Sequence, residues 1–127
     1  MRLDRMVKAV VAALEDIKAR DIVVLDVTEI TSLFDRMIVA SADSTRQTRA
    51  IASNVQEKLK ALGAKVYGVE GDRTGEWVLV DLGSVLVHIM QPAVRTYYNL
   101  EELWGGDRAG IPKKRPRRLS AASQRPA

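Results

Sequence analysis

The sequence predicts a single α/β domain, with a mixed five-stranded sheet and helices mainly on one face, in the order α-β-β-α-β-β-β-α. Three observations carry that prediction. Apolar residues recur at helical spacing in two long stretches, near 3–17 and 44–62. Five short runs rich in Val, Ile and Leu are too brief for helices and are bounded by charged or turn-forming residues. With 127 residues, 46% apolar and 28% charged, the chain has the size and balance of one globular domain.

The first helix follows from Leu3, Met6, Val7, Val10, Val11, Leu14 and Ile17, which share one face while Lys8, Glu15, Asp16 and Lys18 fall outside it. Residues 21–27 and 36–41 read as buried strands, apolar on both faces. Their connection is too short for a helical crossover, so they run antiparallel. Ser44 followed by Gln47 fits a capping box at the start of a second helix. Its stripe is Thr48, Ile51, Ala52, Val55, Leu59 and Leu62, and Gly63 suits the position just past its end. Three strands follow, near 65–69, 77–82 and 85–90, the last two joined by a tight Gly83-Ser84 turn whose glycine supplies positive φ. Pro92 opens a third helix carrying Tyr97, Tyr98, Leu100, Leu103 and Trp104 and ending at Gly105-Gly106. Beyond it the periodicity stops. Residues 1–104 are therefore expected to form the domain and residues 105–127 a basic, disordered tail.

Composition excludes several classes of function. The chain has no cysteine and one histidine, His88, so neither a disulfide framework nor a thiolate metal site is available. The uncharged stretch 82–94 falls short of the roughly 18 apolar residues of a membrane span. Arg2, Asp4, Arg5 and Lys8 interrupt any apolar signal-peptide core, so a cytoplasmic location is expected. The net charge of +4 is unevenly placed: seven basic residues against Asp107 give the tail +6 and leave the domain at −2. The basic character belongs to the tail.

Individual residues offer little catalytic chemistry. His88 lies in a strand with no accompanying nucleophile motif, so a structural or interface role suits it better than general-base catalysis. Asp26, Asp43, Glu70 and Asp81 are of the type that binds Mg²⁺, but no Asp-x-Asp pair or glycine-rich phosphate loop accompanies them. Trp77, Leu79 and Asp81 alternate onto one strand face. A tryptophan there is either core or an interface anchor, and the neighbouring carboxylate speaks against a closed core. In the tail, Lys113, Lys114, Arg115, Arg117 and Arg118 suit salt-sensitive contact with RNA phosphates, a targeting element or plain solubility.

An ordered set of segments resembles the ribosomal silencing factor (Iojap) family. It comprises Asp21-Ile22-Val23-Val24-Leu25-Asp26-Val27, Asp35-Arg36-Met37-Ile38-Val39-Ala40-Ser41 and Ser44-Thr45-Arg46-Gln47. Glu70-Gly71, Trp77-Val78-Leu79-Val80-Asp81-Leu82-Gly83, Val87-His88-Ile89-Met90 and Arg95-Thr96-Tyr97-Tyr98-Asn99-Leu100-Glu101-Glu102-Leu103-Trp104 complete it. The likeness spans about residues 3–104. It implies a nucleotidyltransferase-like fold without that class's Gly-Ser pair and metal-binding aspartates, hence no enzyme activity, no catalytic residue and no cofactor. It also implies binding to the large ribosomal subunit through its ribosomal protein number fourteen, steric block of small-subunit joining, and repression of translation under nutrient limitation.

Carried over by position, the expected contacts are Glu70, Trp77, Asp81, Leu82, Met90, Arg95 and Tyr98. They would place an apolar centre of Trp77, Leu82, Met90 and Tyr98 within an acidic rim. The tail departs from the family's usual ending, and its expected role is non-specific contact with ribosomal RNA. An open apolar face could also support a homodimer off the ribosome. Two readings from other classes stay open on the residues alone: a nucleotidyltransferase-like enzyme acting on a phosphate-containing substrate, and a general RNA-binding module.

Overall fold

The computed structural model describes residues 1–104 and, beyond them, only the backbone of Arg117–Arg118. Helix α1 (Leu3–Asp16) buries Met6, Val10, Val11, Ala13 and Leu14, the face that the helical spacing predicts. It unwinds at Lys18, which takes a left-handed φ of 62°. Strand β1 (Arg20–Asp26) then pairs antiparallel with β2 (Arg36–Ser41), as the short connection requires. Their register shifts between Arg20 and Val23, around Asp21 at φ 52°.

Helix α2 (Thr45–Ala61) begins where Ser44 Oγ accepts the Gln47 N–H at 3.0 Å. The reciprocal half of the capping box differs from expectation: Gln47 Oε1 accepts from the N–H of Asp43, at 2.8 Å, one residue further back than Ser44. The same amide donates through Nε2 to the Ile17 carbonyl at 3.0 Å. One side chain thus closes the start of α2 and ties it to the end of α1. Gly63, at φ 94°, follows the helix as predicted.

Strands β3 (Gly68–Glu70), β4 (Trp77–Asp81) and β5 (Val85–Met90) form an antiparallel meander. Strand β3 is shorter than the predicted 65–69 and displaced towards Glu70. It is an edge strand with β4 as its partner, and β4 stops at Asp81, opposite Gly68, leaving residues 65–67 little to pair with. The five expected strands make one mixed sheet, in which β2 and β5 are parallel and the other neighbours antiparallel. A two-residue strand β6 (Arg117–Arg118) pairs with the outer edge of β1, giving the order β3-β4-β5-β2-β1-β6. The remainder of the expected disordered tail lies outside the described residues.

The predicted third helix is two: α3 (Pro92–Tyr98) and α4 (Leu100–Trp104), broken at Asn99 with φ 46°. Asparagine is among the few residues that enter this region readily. The break turns Glu101 back onto Arg95, a pair that a straight helix would hold about 120° apart.

Helices α1 and α2 cover one sheet face. The core there joins Leu14, Ile38, Ile51, Val55, Leu59, Val78, Val80, Val87 and Ile89. Each such side chain, fully buried, contributes about 1.5–3 kcal/mol. On the other face Val23, Leu25, Val27, Met37, Val39 and Met90 meet Leu100 of α4, with Phe34, Trp77, Val94 and Trp104 packed against them.

Candidate functional site

The second sheet face is ordered in rows by the strand register. Glu70, Leu79, His88 and Val39 stand opposite one another across β3, β4, β5 and β2. Trp77, Met90 and Ser41 form the adjoining row on one side, and Asp81, Leu86 and Met37 the row on the other. Trp77 is half-buried, and its indole Nε1–H donates to His88 Nδ1 at 2.9 Å. Its ring lies 4.8 Å from that of Tyr98, which in turn meets Tyr97 edge-on at 4.9 Å. The run of rings passes from His88, 7% exposed, to Tyr97, 80% exposed.

Burial pushes the His88 imidazole down to about 4, so the ring is neutral near pH 7. An indole N–H can only donate, so Nδ1 is the acceptor and the ring proton sits on Nε2. Nε2 is buried with no partner among the described residues. An unmade buried hydrogen bond of this kind costs about 1–3 kcal/mol.

Acidic groups border the aromatic run. Glu70 is exposed at the end of β3. Asp81 is half-buried, and its Oδ1 accepts the Gly83 N–H at 2.8 Å within the β4–β5 turn. Gly71, at φ 84°, brings the β3–β4 loop against the site: a Cβ there would sit 2.0 Å from the Trp77 carbonyl oxygen. Gly71 and the Trp77–His88 bond are features that sequence reasoning missed. The glycine next to Glu70 was a visible signal for the first; the second needs the strand register.

Of the seven expected contact residues, Trp77 and Tyr98 meet at this face, and Glu70 and Asp81 are at least partly exposed on the rows beyond. Three are buried instead of reaching the surface. Leu82, 2% exposed, continues the Val78 and Val80 alternation into the core under α1 and α2. Met90 is on the expected face but fully buried, because Trp77 and α4 cover it. Arg95 is 4% exposed and spent internally: its Nη2 lies 2.8 Å from Glu101 Oε2, and its Nη1 donates to Ser41 Oγ at 2.8 Å. Lys113, Lys114 and Arg115 lie outside the described residues, and only the backbone of Arg117 and Arg118 is described.

Two of the four acids considered for a metal are engaged elsewhere. Asp26 pairs with Arg36 at 3.2 Å and Asp43 with Arg20. Among the described residues no group of three or more His, Asp or Glu side chains could hold an ion. No helix among them is long and apolar enough to cross a membrane. What this face offers is an aromatic, partly acidic surface held rigidly from beneath.

Known proteins share this sequence and architecture. A family model described as ribosomal silencing factor during starvation matches residues 1–127. A Chromobacterium violaceum protein named ribosomal silencing factor RsfS is 55% identical over 108 residues, 85% of this chain and 88% of its own. A Bacillus subtilis protein of the same name is 38% identical over 105 residues, 83% of this chain and 89% of its own. A crystal structure of a Chromobacterium violaceum protein superposes with a TM-score of 0.82 at 53% identity, covering 87% of this chain and 92% of that one. Another, from Bacillus halodurans, gives 0.73 at 33% identity, covering 80% and 95%. The residues that carry the resemblance, the sheet they build and these relatives agree: the chain belongs to the ribosomal silencing factor family.

Proposed function

We propose that this chain is a non-enzymatic translational repressor of the cytoplasm that docks its second sheet face on the large ribosomal subunit, at ribosomal protein number fourteen. Its bulk there keeps the small subunit from joining when nutrients are scarce. The single observation that carries the docking face is the Trp77–Tyr98 pair, two large rings 4.8 Å apart on a sheet face, one half-buried and the other 51% exposed. Aromatic anchors of this kind dominate protein interfaces. Along the same face Glu70 stands one row and Asp81 two rows from Trp77, and such acidic groups favour encounter with a basic ribosomal protein more than they add final affinity. Met90 and Arg95 support this surface from within, while Leu82 packs on the opposite side of the sheet. Residues 1–104 carry the docking, and the basic tail adds salt-sensitive contact with ribosomal RNA.

Sucrose-gradient co-sedimentation with isolated large subunits tests the reading. The wild type travels with the subunit, and Trp77→Glu, checked for folding by its melting curve, stays at the top of the gradient. Equal binding by both forms would remove this face from the interface. Failure of the wild type to bind would remove the ribosome from the proposal.

A further inference from the structure

We propose that His88 is a positioning residue for docking: its Nδ1 holds the Trp77 indole N–H inward, so that Trp77 presents to its partner an edge with no hydrogen bond left to make. This rests on the docking reading above and names the chemistry of the surface that Trp77 meets. A tryptophan at an interface ordinarily brings a donor that must find an acceptor when water leaves. Here the donor is already satisfied, at 2.9 Å, by a ring on the neighbouring strand. The partner surface over Trp77 is therefore apolar and needs no acceptor.

The surroundings of His88 support this role. Its cross-strand neighbours on either side, Leu79 and Val39, are aliphatic and give the imidazole nothing to bond. Its Nε2 stays buried without a partner among the described residues. A leucine would fill the position with no orphaned polar atom, so packing alone does not account for an imidazole there. The indole is held on a second flank by Tyr98. An anchor fixed from two sides loses little rotamer freedom on binding, which is how preorganisation raises affinity.

Three variants and one spectrum test the proposal. The chain has two tryptophans, so Trp104→Phe identifies the Trp77 indole resonance in a ¹⁵N-correlated spectrum. His88→Leu removes the acceptor: the indole resonance moves and affinity for large subunits falls about threefold to tenfold, the worth of one hydrogen bond. His88→Asn places an amide oxygen where Nδ1 stood, and returns both towards wild type. An unmoved indole resonance in His88→Leu overturns the bond. A moved resonance with unchanged affinity overturns the positioning role while leaving the docking face intact. Failure of the docking face itself shows separately, as wild-type binding by Trp77→Glu. If His88→Leu does not fold, the ¹⁵N–¹⁵N coupling across the Trp77–His88 bond in the wild-type protein decides, and its absence overturns the proposal.

Discussion

The two faces of the sheet are built from different chemistry. Under α1 and α2 the hydrophobic core is aliphatic, with Met6 its one sulfur-containing member, and contains no aromatic ring. Small and β-branched side chains such as Ala40, Val78, Val80 and Val87 let two long helices lie close against the strands. The opposite face gathers Phe34, Trp77 and Trp104 around a second core and adds His88, Ser41, Arg95 and Glu101 as buried polar groups. Its cover is two short helices. A face that is only buried needs shape alone; a face proposed to dock keeps groups that can anchor and orient. The first face rests mainly on aliphatic burial, with hydrogen bonds such as Gln47–Ile17 and Asn54–Ala13 joining its helices, while the second buries a charged pair.

That contrast is sharpest at the α3–α4 cover. Neither helix is long enough to be stable alone, and the Arg95–Glu101 pair, with side chains 5% and 0% exposed, ties them to each other and to Ser41 of β2. Glu101→Ala leaves the Arg95 charge buried and unpaired, and is expected to cost about 3–5 kcal/mol in urea unfolding. Replacing the pair together, Arg95→Met with Glu101→Leu, removes both charges and restores most of the loss. A small effect of Glu101→Ala would mean that the second face is held by burial like the first.

The next effect in size is a pH dependence that belongs to the second face. His88 is held neutral in the folded protein down to about 4, against 6.5 for the free side chain. As pH falls below 6.5 the unfolded chain takes up a proton that the folded chain refuses, so stability declines. The His88 contribution is level above that window, falls by about 3 kcal/mol across it, and is level again below it. Melting temperatures measured from pH 7 to pH 4 follow this slope in the wild type. His88→Leu flattens it, whereas Ile89→Val, on the first face of the same strand, leaves it intact.

The same division explains what was legible in the sequence. Helices α1 and α2 and strands β1, β2, β4 and β5 could be read because aliphatic periodicity reports burial against a continuous layer. The alternation that placed Trp77 and Asp81 on one face also held. Leu82 keeps the parity of Val78 and Val80 one residue past the end of β4; its expected place at the contact surface came from the family resemblance, not from alternation. The α3–α4 break was hidden because a left-handed Asn99 is stabilised by Arg95 and Glu101 folding onto each other, a contact that helical spacing forbids. Arg95 looked like a surface cation since nothing in its neighbourhood announces a buried partner. The Trp77–His88 bond was within reach: the tight Gly83-Ser84 turn sets the β4–β5 register and puts the two residues on adjacent rows. Only the choice of rotamer needed the structure.

The smallest expected effect lies at the start of α2, in the cover of the first face. Ser44 Oγ satisfies one backbone donor of that helix, and the Gln47 side chain independently binds Asp43 and Ile17. Ile51, Val55 and Leu59, further along the helix, are fully buried. Ser44→Ala should therefore cost only about 1 kcal/mol, read as a lower urea midpoint with an unchanged slope. Large-subunit binding should not change, because the Ser44 hydroxyl is spent on the α2 cap. A loss comparable with that of Glu101→Ala would show that α2, too, hangs on a single polar contact, and the distinction between the two covers would fail at its strongest point.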